Sequence, residues 1–186
     1  MTSTLSVIEA WDAAYGIYRA KFGAKDVSAY FKSEAQPSIR EKFNFEGLDI
    51  MNSKTGAFFK VKSGFATIVP GSSPATQGEY LITIRGTDLK ADWLTDANSG
   101  VQNSLSKKWV HAGFNRVFKE LQPQIQSYFS GKSPSVIHCV GHSLGGALAT
   151  LSADWLVSEN IAKTKLYTFG CPRVGFKPFA ERLTMQ

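Results

Sequence analysis

Apolar residues recur every three or four positions near the start of the chain. They run through Leu5, Ile8, Trp11, Ala14, Tyr15, Tyr18 and Phe22, the period of a helix with one buried face. Gly23 interrupts the pattern, so one or two helices over 5–32 are predicted. Residues 33–56 show no period. Pro37 and the turn-prone run Asn52-Ser53-Lys54-Thr55-Gly56 read as an irregular connection within one domain. From Phe58 to Val69 the pattern is β-rich and partly alternating, and Pro70-Gly71-Ser72-Ser73-Pro74 ends it as a loop. Tyr80-Leu81-Ile82-Thr83-Ile84 is a near-continuous apolar strand, and 86–108 is a long polar loop of the kind that is usually functional or mobile.

Helical spacing returns with Phe114, Val117, Phe118, Leu121, Ile125 and Tyr128, which predicts an amphipathic helix over 112–129. Pro123 is expected to kink it or to start a second segment. A short buried strand over 135–140, an apolar helix over 145–158 and a strand over 165–169 follow. Strand alternating with helix implies parallel strands joined by right-handed crossovers. The expected class is therefore α/β, a mostly parallel sheet flanked by helices. Its organisation is a helical segment over 1–56 packed on a domain over 57–186.

Composition narrows the function classes. The chain has 186 residues, 43% hydrophobic and 19% charged, which suits one globular domain with a sizeable core. A net charge of +6 could favour an anionic surface, but the lysines and arginines are scattered. The densest pairs, Lys60/Lys62 and Lys107/Lys108, form no polybasic run, and no nucleic-acid motif is present, so a solvated surface is the plainer reading. Cys139 and Cys171 fall at or near the ends of predicted buried strands and read as free thiols. The start Met1-Thr2-Ser3-Thr4-Leu5 lacks the basic and apolar regions of a Sec signal, and no apolar run is long enough to span a bilayer. The expected location is cytoplasmic, or outside the cell by a signal-independent secretion route. No metal-ligand cluster and no cofactor motif is present, and no cofactor is expected.

The segment that carries chemistry is Gly141-His142-Ser143-Leu144-Gly145, a G-x-S-x-G pattern between a predicted strand and a predicted helix. A nucleophilic serine must stand clear of the sheet edge, which forces a sharp, strained turn. Side chains two residues to either side would collide there, and Gly141 and Gly145 remove them. The helix that follows directs its first N–H groups, that of Leu144 among them, toward charge developing at Ser143. A chance glycine-rich turn is the competing reading. Gly146 and the two correctly placed flanks argue against it.

Around this elbow the chain resembles the class 3 lipases, triacylglycerol lipases and related phospholipases of the α/β-hydrolase fold. The resemblance is carried in order by Ile84-Arg85-Gly86-Thr87, Asp92-Trp93-Leu94-Thr95-Asp96, Val110-His111-Ala112-Gly113-Phe114, the elbow, and Thr168-Phe169-Gly170-Cys171-Pro172-Arg173-Val174-Gly175. It covers roughly residues 80–180 and has a bacterial rather than a secreted fungal cast. It implies Ser143 as nucleophile, with the backbone N–H groups of Thr87 and Leu144 as the oxyanion hole. Asp96 would brace the oxyanion loop, and a lid near 89–94 would make its apolar contact through Trp93, for which a plain loop anchor is the alternative. His111 is expected to be structural rather than catalytic, His138 and His142 to be core or supporting residues, and Arg173 to fix the loop after the last strand. The implied substrate is a lipid ester at a membrane or lipid interface.

The family's remaining catalytic residues, an Asp and then a His after the serine, have no match. After Ser143 the acidic residues are Asp154, Glu159 and Glu181, and no histidine follows. Asp154 falls about three turns into the elbow helix, too far along to orient a base. Two readings stay open. In one, the chain is the N-terminal portion of a lipase, inactive alone, whose Asp and His come from its C-terminal remainder or another fragment. In the other, it is a non-catalytic, lipase-like binding module. Intact Thr87, Asp96 and Ser143 favour the first, as does a final helical pattern over 176–186 with no stop signal. Antibacterial lipase effectors are one group exported without a Sec signal, which adds an inhibitory immunity protein as a candidate partner.

Overall fold

The computed structural model describes residues 3–21, 23–53, 63–86 and 100–184. Helix α1 (Val7–Gly16) starts at Ser6, whose hydroxyl accepts from the Glu9 N–H while the Glu9 carboxylate takes the Ser6 N–H. A 3₁₀ turn (Ile17–Lys21) follows, and then α2 (Ala24–Ser33). The break falls at Gly23, whose φ of 128° is closed to most side chains.

The stretch expected to be irregular contains two elements, α3 (Pro37–Lys42) and β1 (Asp49–Ser53). Pro37 begins the short helix because a first-turn residue has no N–H to lose. Too few apolar positions mark either element for periodicity to reveal it.

Strands β1, β2 (Ser63–Pro70), β3 (Glu79–Ile84), β6 (Val136–His142) and β7 (Lys163–Phe169) form one sheet in the order β1-β2-β3-β6-β7. The β1–β2 and β2–β3 pairs are antiparallel, whereas β3–β6 and β6–β7 are parallel. The long loop contributes a small hairpin of β4 (Val101–Asn103) and β5 (Trp109–His111) that leads into α4 (Ala112–Phe129). Helix α4 runs through Pro123 as a single element. Helix α5 (Leu144–Ser158) crosses from β6 to β7, and α6 (Lys177–Thr184) follows the loop after β7.

Both faces of the sheet are covered. On one face Ile68, Ile82, Ile84, Ile137 and Cys139 join Phe118, Leu121 and Leu148 beneath α4 and α5. On the other, Val69, Leu81 and Val140 meet Ala13, Ile17 and Phe31 from the N-terminal helices. Burial on both faces explains why β3 and β6 read as apolar runs rather than alternating strands. Helix α5 is buried from Leu144 to Leu156 on every side, which explains its lack of a polar stripe. Among the described strands, β7 lies at one edge of the sheet, and Leu166 on it is exposed. Cys139 and Cys171 are both free thiols, and burial pushes the Cys139 thiol up to about 12. No described helix is long and apolar enough to cross a membrane.

Candidate active site

The parallel half of the sheet sets the geometry. Strands β3 and β6 end side by side, with Ile84 opposite Gly141, and the chain turns at Ser143 directly into α5. Ser143 adopts φ 56° and ψ −126°, a region that strains a residue with a side chain. Its N–H donates to the Phe169 carbonyl at 2.9 Å, which ties the turn to the end of β7. Its carbonyl accepts from the Gly146 N–H at 2.9 Å, which closes the first turn of the helix.

The close approaches require glycine. A Cβ at Gly141 would lie 2.2 Å from the Gly145 carbonyl oxygen, and one at Gly145 would lie 2.1 Å from that of Ile84. Both obstacles are backbone, so no rotamer change relieves them. Gly146 lets Cys171 approach, with 3.0 Å left between an added Cβ and the Cys171 Cβ.

Leu144 is the first residue of α5, so its N–H has no intrahelical acceptor and faces the end of the helix where the dipole is positive. Gly86 lies beside the same point. A Cβ there would fall 2.8 Å from the His142 carbonyl oxygen and 3.4 Å from the Ser143 Cβ. The chain thus passes Ser143 just before Thr87. Thr87, Trp93 and Asp96 lie outside the described residues, so the structure brings together Ser143, Leu144 and Gly86 and leaves those three unplaced.

The chain has three histidines, and each ring has a partner away from Ser143. His111 caps α4, its Nδ1 accepting from the Gly113 N–H at 3.2 Å, and it stacks on Phe114. His142 points to the opposite face of the sheet, where its Nδ1 is 3.0 Å from the Tyr18 hydroxyl and Trp11 meets its ring edge-on. His138 is fully buried, with Nε2 3.0 Å from Glu79 Oε2. Burial pushes the His138 pKa down against the pull of Glu79, so the ring is neutral at pH 7 and donates through Nε2. The buried Nδ1, without a hydrogen-bond partner, fits the unprotonated nitrogen of that tautomer.

Asp154 is also committed elsewhere. It accepts from Arg182 Nε at 2.7 Å and from the Ser106 hydroxyl, tying α5 to α6 and to the β4–β5 turn. Arg173 closes its own loop through the Gly175 carbonyl at 3.1 Å.

Residues 81–186 match the Lipase (class 3) family. The chain belongs to the class 3 lipases. Among relatives of this chain, a secreted mono- and diacylglycerol lipase 1 of Fusarium solani is 31% identical over 137 residues, covering 70% of this chain and 40% of that protein. Toxin TseL of Vibrio cholerae is 29% identical over 165 residues, covering 88% of this chain and 23% of the toxin. Among solved structures, M37 lipase superposes with a TM-score of 0.74 at 18% identity, over 98% of this chain and 64% of its own. The lipase of Rhizopus microsporus var. chinensis gives 0.60 at 24% identity, over 100% of this chain and 64% of its own. These likenesses show the α/β fold. The chain spans 40% or less of the length of these two curated relatives.

The sequence pointed to the elbow and missed the supports beneath it. Tyr18 and Trp11 read as helix-face residues, with nothing to indicate that they grip His142. The Ser3–Glu79–His138 cluster joins residues far apart in the chain by side-chain hydrogen bonds that leave no periodic trace.

Proposed function

We propose that this class 3 lipase hydrolyses lipid carboxylic esters through an acyl-enzyme at Ser143. The observation that carries the reading is the strained φ of 56° at Ser143, held between two glycines that admit no Cβ. Strain of this kind persists where the surrounding structure enforces it, and it clusters at reactive residues.

In the proposed reaction Ser143 Oγ attacks the ester carbonyl carbon and its proton passes to a histidine base. The carbonyl oxygen, now an anion, accepts from the N–H groups of Leu144 and Thr87, with Asp96 bracing the Thr87 turn. Collapse of the tetrahedral intermediate expels the alcohol, which takes the proton back from the base. Water then hydrolyses the acyl-serine by the same steps, releasing a fatty acid. Each oxyanion donor is worth about 3 kcal/mol in such a transition state.

The base and its aspartate are proposed to lie in polypeptide C-terminal to these residues or in a second fragment, so that this chain alone is inactive. All three histidines are engaged away from Ser143, and Asp154 is held by Arg182 and Ser106. The open edge of β7 and an apolar stripe on α1 of Val7, Ile8, Trp11 and Tyr15 also fit a molecule with more polypeptide to add. Trp93 is proposed as the apolar contact of a lid.

Similarity to a toxin supports a further proposal, that the lipase is a bacterial effector exported without a Sec signal and matched by an inhibitory immunity protein. The test is fatty-acid release from phospholipid vesicles and from acylglycerol emulsions by protein purified from its native source, with intact mass measured on the same sample. Release that disappears in Ser143→Ala, from material heavier than this chain or co-purifying with a second fragment, is expected. Material of this mass that binds vesicles and releases nothing would instead mark a lipase-like binding module.

A further inference from the structure

We propose that Tyr18 is a positioning residue for the oxyanion turn, its hydroxyl wedged between the His142 ring of the elbow and the backbone of Gly86. The inference rests on the acyl-transfer reading of Ser143. Three groups close around the side-chain position of Gly86. A Cβ placed there would be 2.6 Å from the Tyr18 hydroxyl, 2.8 Å from the His142 carbonyl oxygen and 3.4 Å from the Ser143 Cβ. The same hydroxyl is 3.0 Å from His142 Nδ1. One oxygen therefore contacts the end of β6, which carries the proposed nucleophile, and fills the space beside Gly86 in the turn after β3, which leads to the proposed first oxyanion donor.

Tyr18 is well anchored for this task. The preceding Gly16 packs so closely on Tyr30 and Phe31 that a Cβ would be 2.6 and 2.7 Å from their rings. Ile17 is fully buried in the core of the N-terminal helices. The His142 ring is gripped from its other side by Trp11, with centroids 6.0 Å apart and planes at 84°. A glycine before an oxyanion donor is the most mobile residue the turn could carry, and a donor must hold its place within about half an ångström to act in the transition state. The contact from Tyr18 removes that freedom without a side chain on Gly86 itself.

In the proposed arrangement the Tyr18 O–H donates to His142 Nδ1 across the 3.0 Å contact, which would leave the ring proton on Nε2, the nitrogen that faces Gly170. The His142 ring would thereby transmit the position of Tyr18 to the elbow.

Tyr18→Phe tests the role, because it keeps the ring and removes only the hydroxyl. On the native enzyme, with a water-soluble short-chain ester, kcat is expected to fall about three- to tenfold, the range a neutral hydrogen bond supplies, while KM stays within about twofold. Tyr15→Phe, at an exposed position on α1, is expected to leave both constants unchanged. A second readout needs no turnover. In ¹⁵N spectra of Tyr18→Phe, His142 should move from the Nε2–H tautomer toward a mixture, and the Gly86 amide should shift. A wild-type kcat, a loss matched by Tyr15→Phe, or an unmoved Gly86 amide would each overturn the proposal. Absence of Ser143-dependent turnover in the unmutated enzyme would overturn the acyl-transfer reading itself, and the tautomer spectra would still report separately whether the Tyr18–His142 contact exists.

Discussion

Ser143 occupies a conformation that favours glycine. Ser143→Gly should therefore stabilise the fold by on the order of 1 kcal/mol while removing the proposed nucleophile. Ser143→Ala, which keeps a Cβ, should gain none of that stability, and urea unfolding of the two variants separates them. The glycines behave in the opposite sense. Gly141→Ala and Gly145→Ala drive a methyl into backbone 2.2 and 2.1 Å away and should cost about 3 kcal/mol or more. Gly131→Ala, at φ 74° with open space around it, should cost about 1 kcal/mol, the backbone term alone. Equal losses at all three glycines would show that the elbow is not tightly closed. These glycines were legible in the sequence because a strand, a turn and a helix can meet at this angle only through them. Tyr18 was not, because its role depends on a contact between two distant parts of the chain.

At the level of elements, the buried carboxylates Glu79 and Asp154 are among those that hold helices and strands in place. Glu79 at the start of β3 receives the N–H and hydroxyl of Ser3 and the ring of His138, and Lys165 donates to the Ser3 carbonyl and to the Thr4 hydroxyl at 3.0 Å. This strap fixes the entry to α1, the helix that carries Trp11 to His142. Burial pushes Glu79 up, but the Ser3 and His138 hydrogen bonds more than offset it, and its pKa lies below the ordinary carboxylate value. That of His138 lies below the ordinary imidazole value. Both depressions have the same sign. The unfolded chain binds protons that the folded chain refuses, so stability falls as pH drops below about 6.5, first through His138 and then through Glu79. The thermal midpoint should be lower at pH 5 than at pH 7, and His138→Gln should flatten the upper part of that decline. A midpoint that rises on acidification would contradict the assignment.

Asp154 is the second such carboxylate. Asp154→Asn weakens the ties to Arg182 and Ser106 and should cost about 1–3 kcal/mol, because Arg182 can turn to water when its partner is lost. It sits about 16 Å along α5 from Ser143, so esterase kcat should change by less than about twofold. A loss of activity larger than the loss of folded protein would place Asp154 in the chemistry. The sequence excluded that role from helix position alone. It could not show what Asp154 does instead, since its partners lie on α6 and in the β4–β5 turn.

Over the whole molecule, the sheet divides into an antiparallel half, β1 to β3, and a parallel half, β3-β6-β7, that carries the site. The parallel half was readable because burial on both faces leaves apolar runs separated by helices of clear period. Strand β1 and helix α3 were missed because each is short and only lightly marked by apolar residues. Family membership confirms the fold class and the enzyme family that the elbow and its flanking segments suggested. In the proposed function Ser143 is the residue acylated during lipid-ester hydrolysis. The most direct measurement treats the native enzyme with a fluorophosphonate and maps the adduct by mass spectrometry of its peptides. One phosphonylated residue, Ser143, is expected, with complete loss of labelling in Ser143→Ala. An adduct on any other residue, or labelling that survives in that variant, would contradict it.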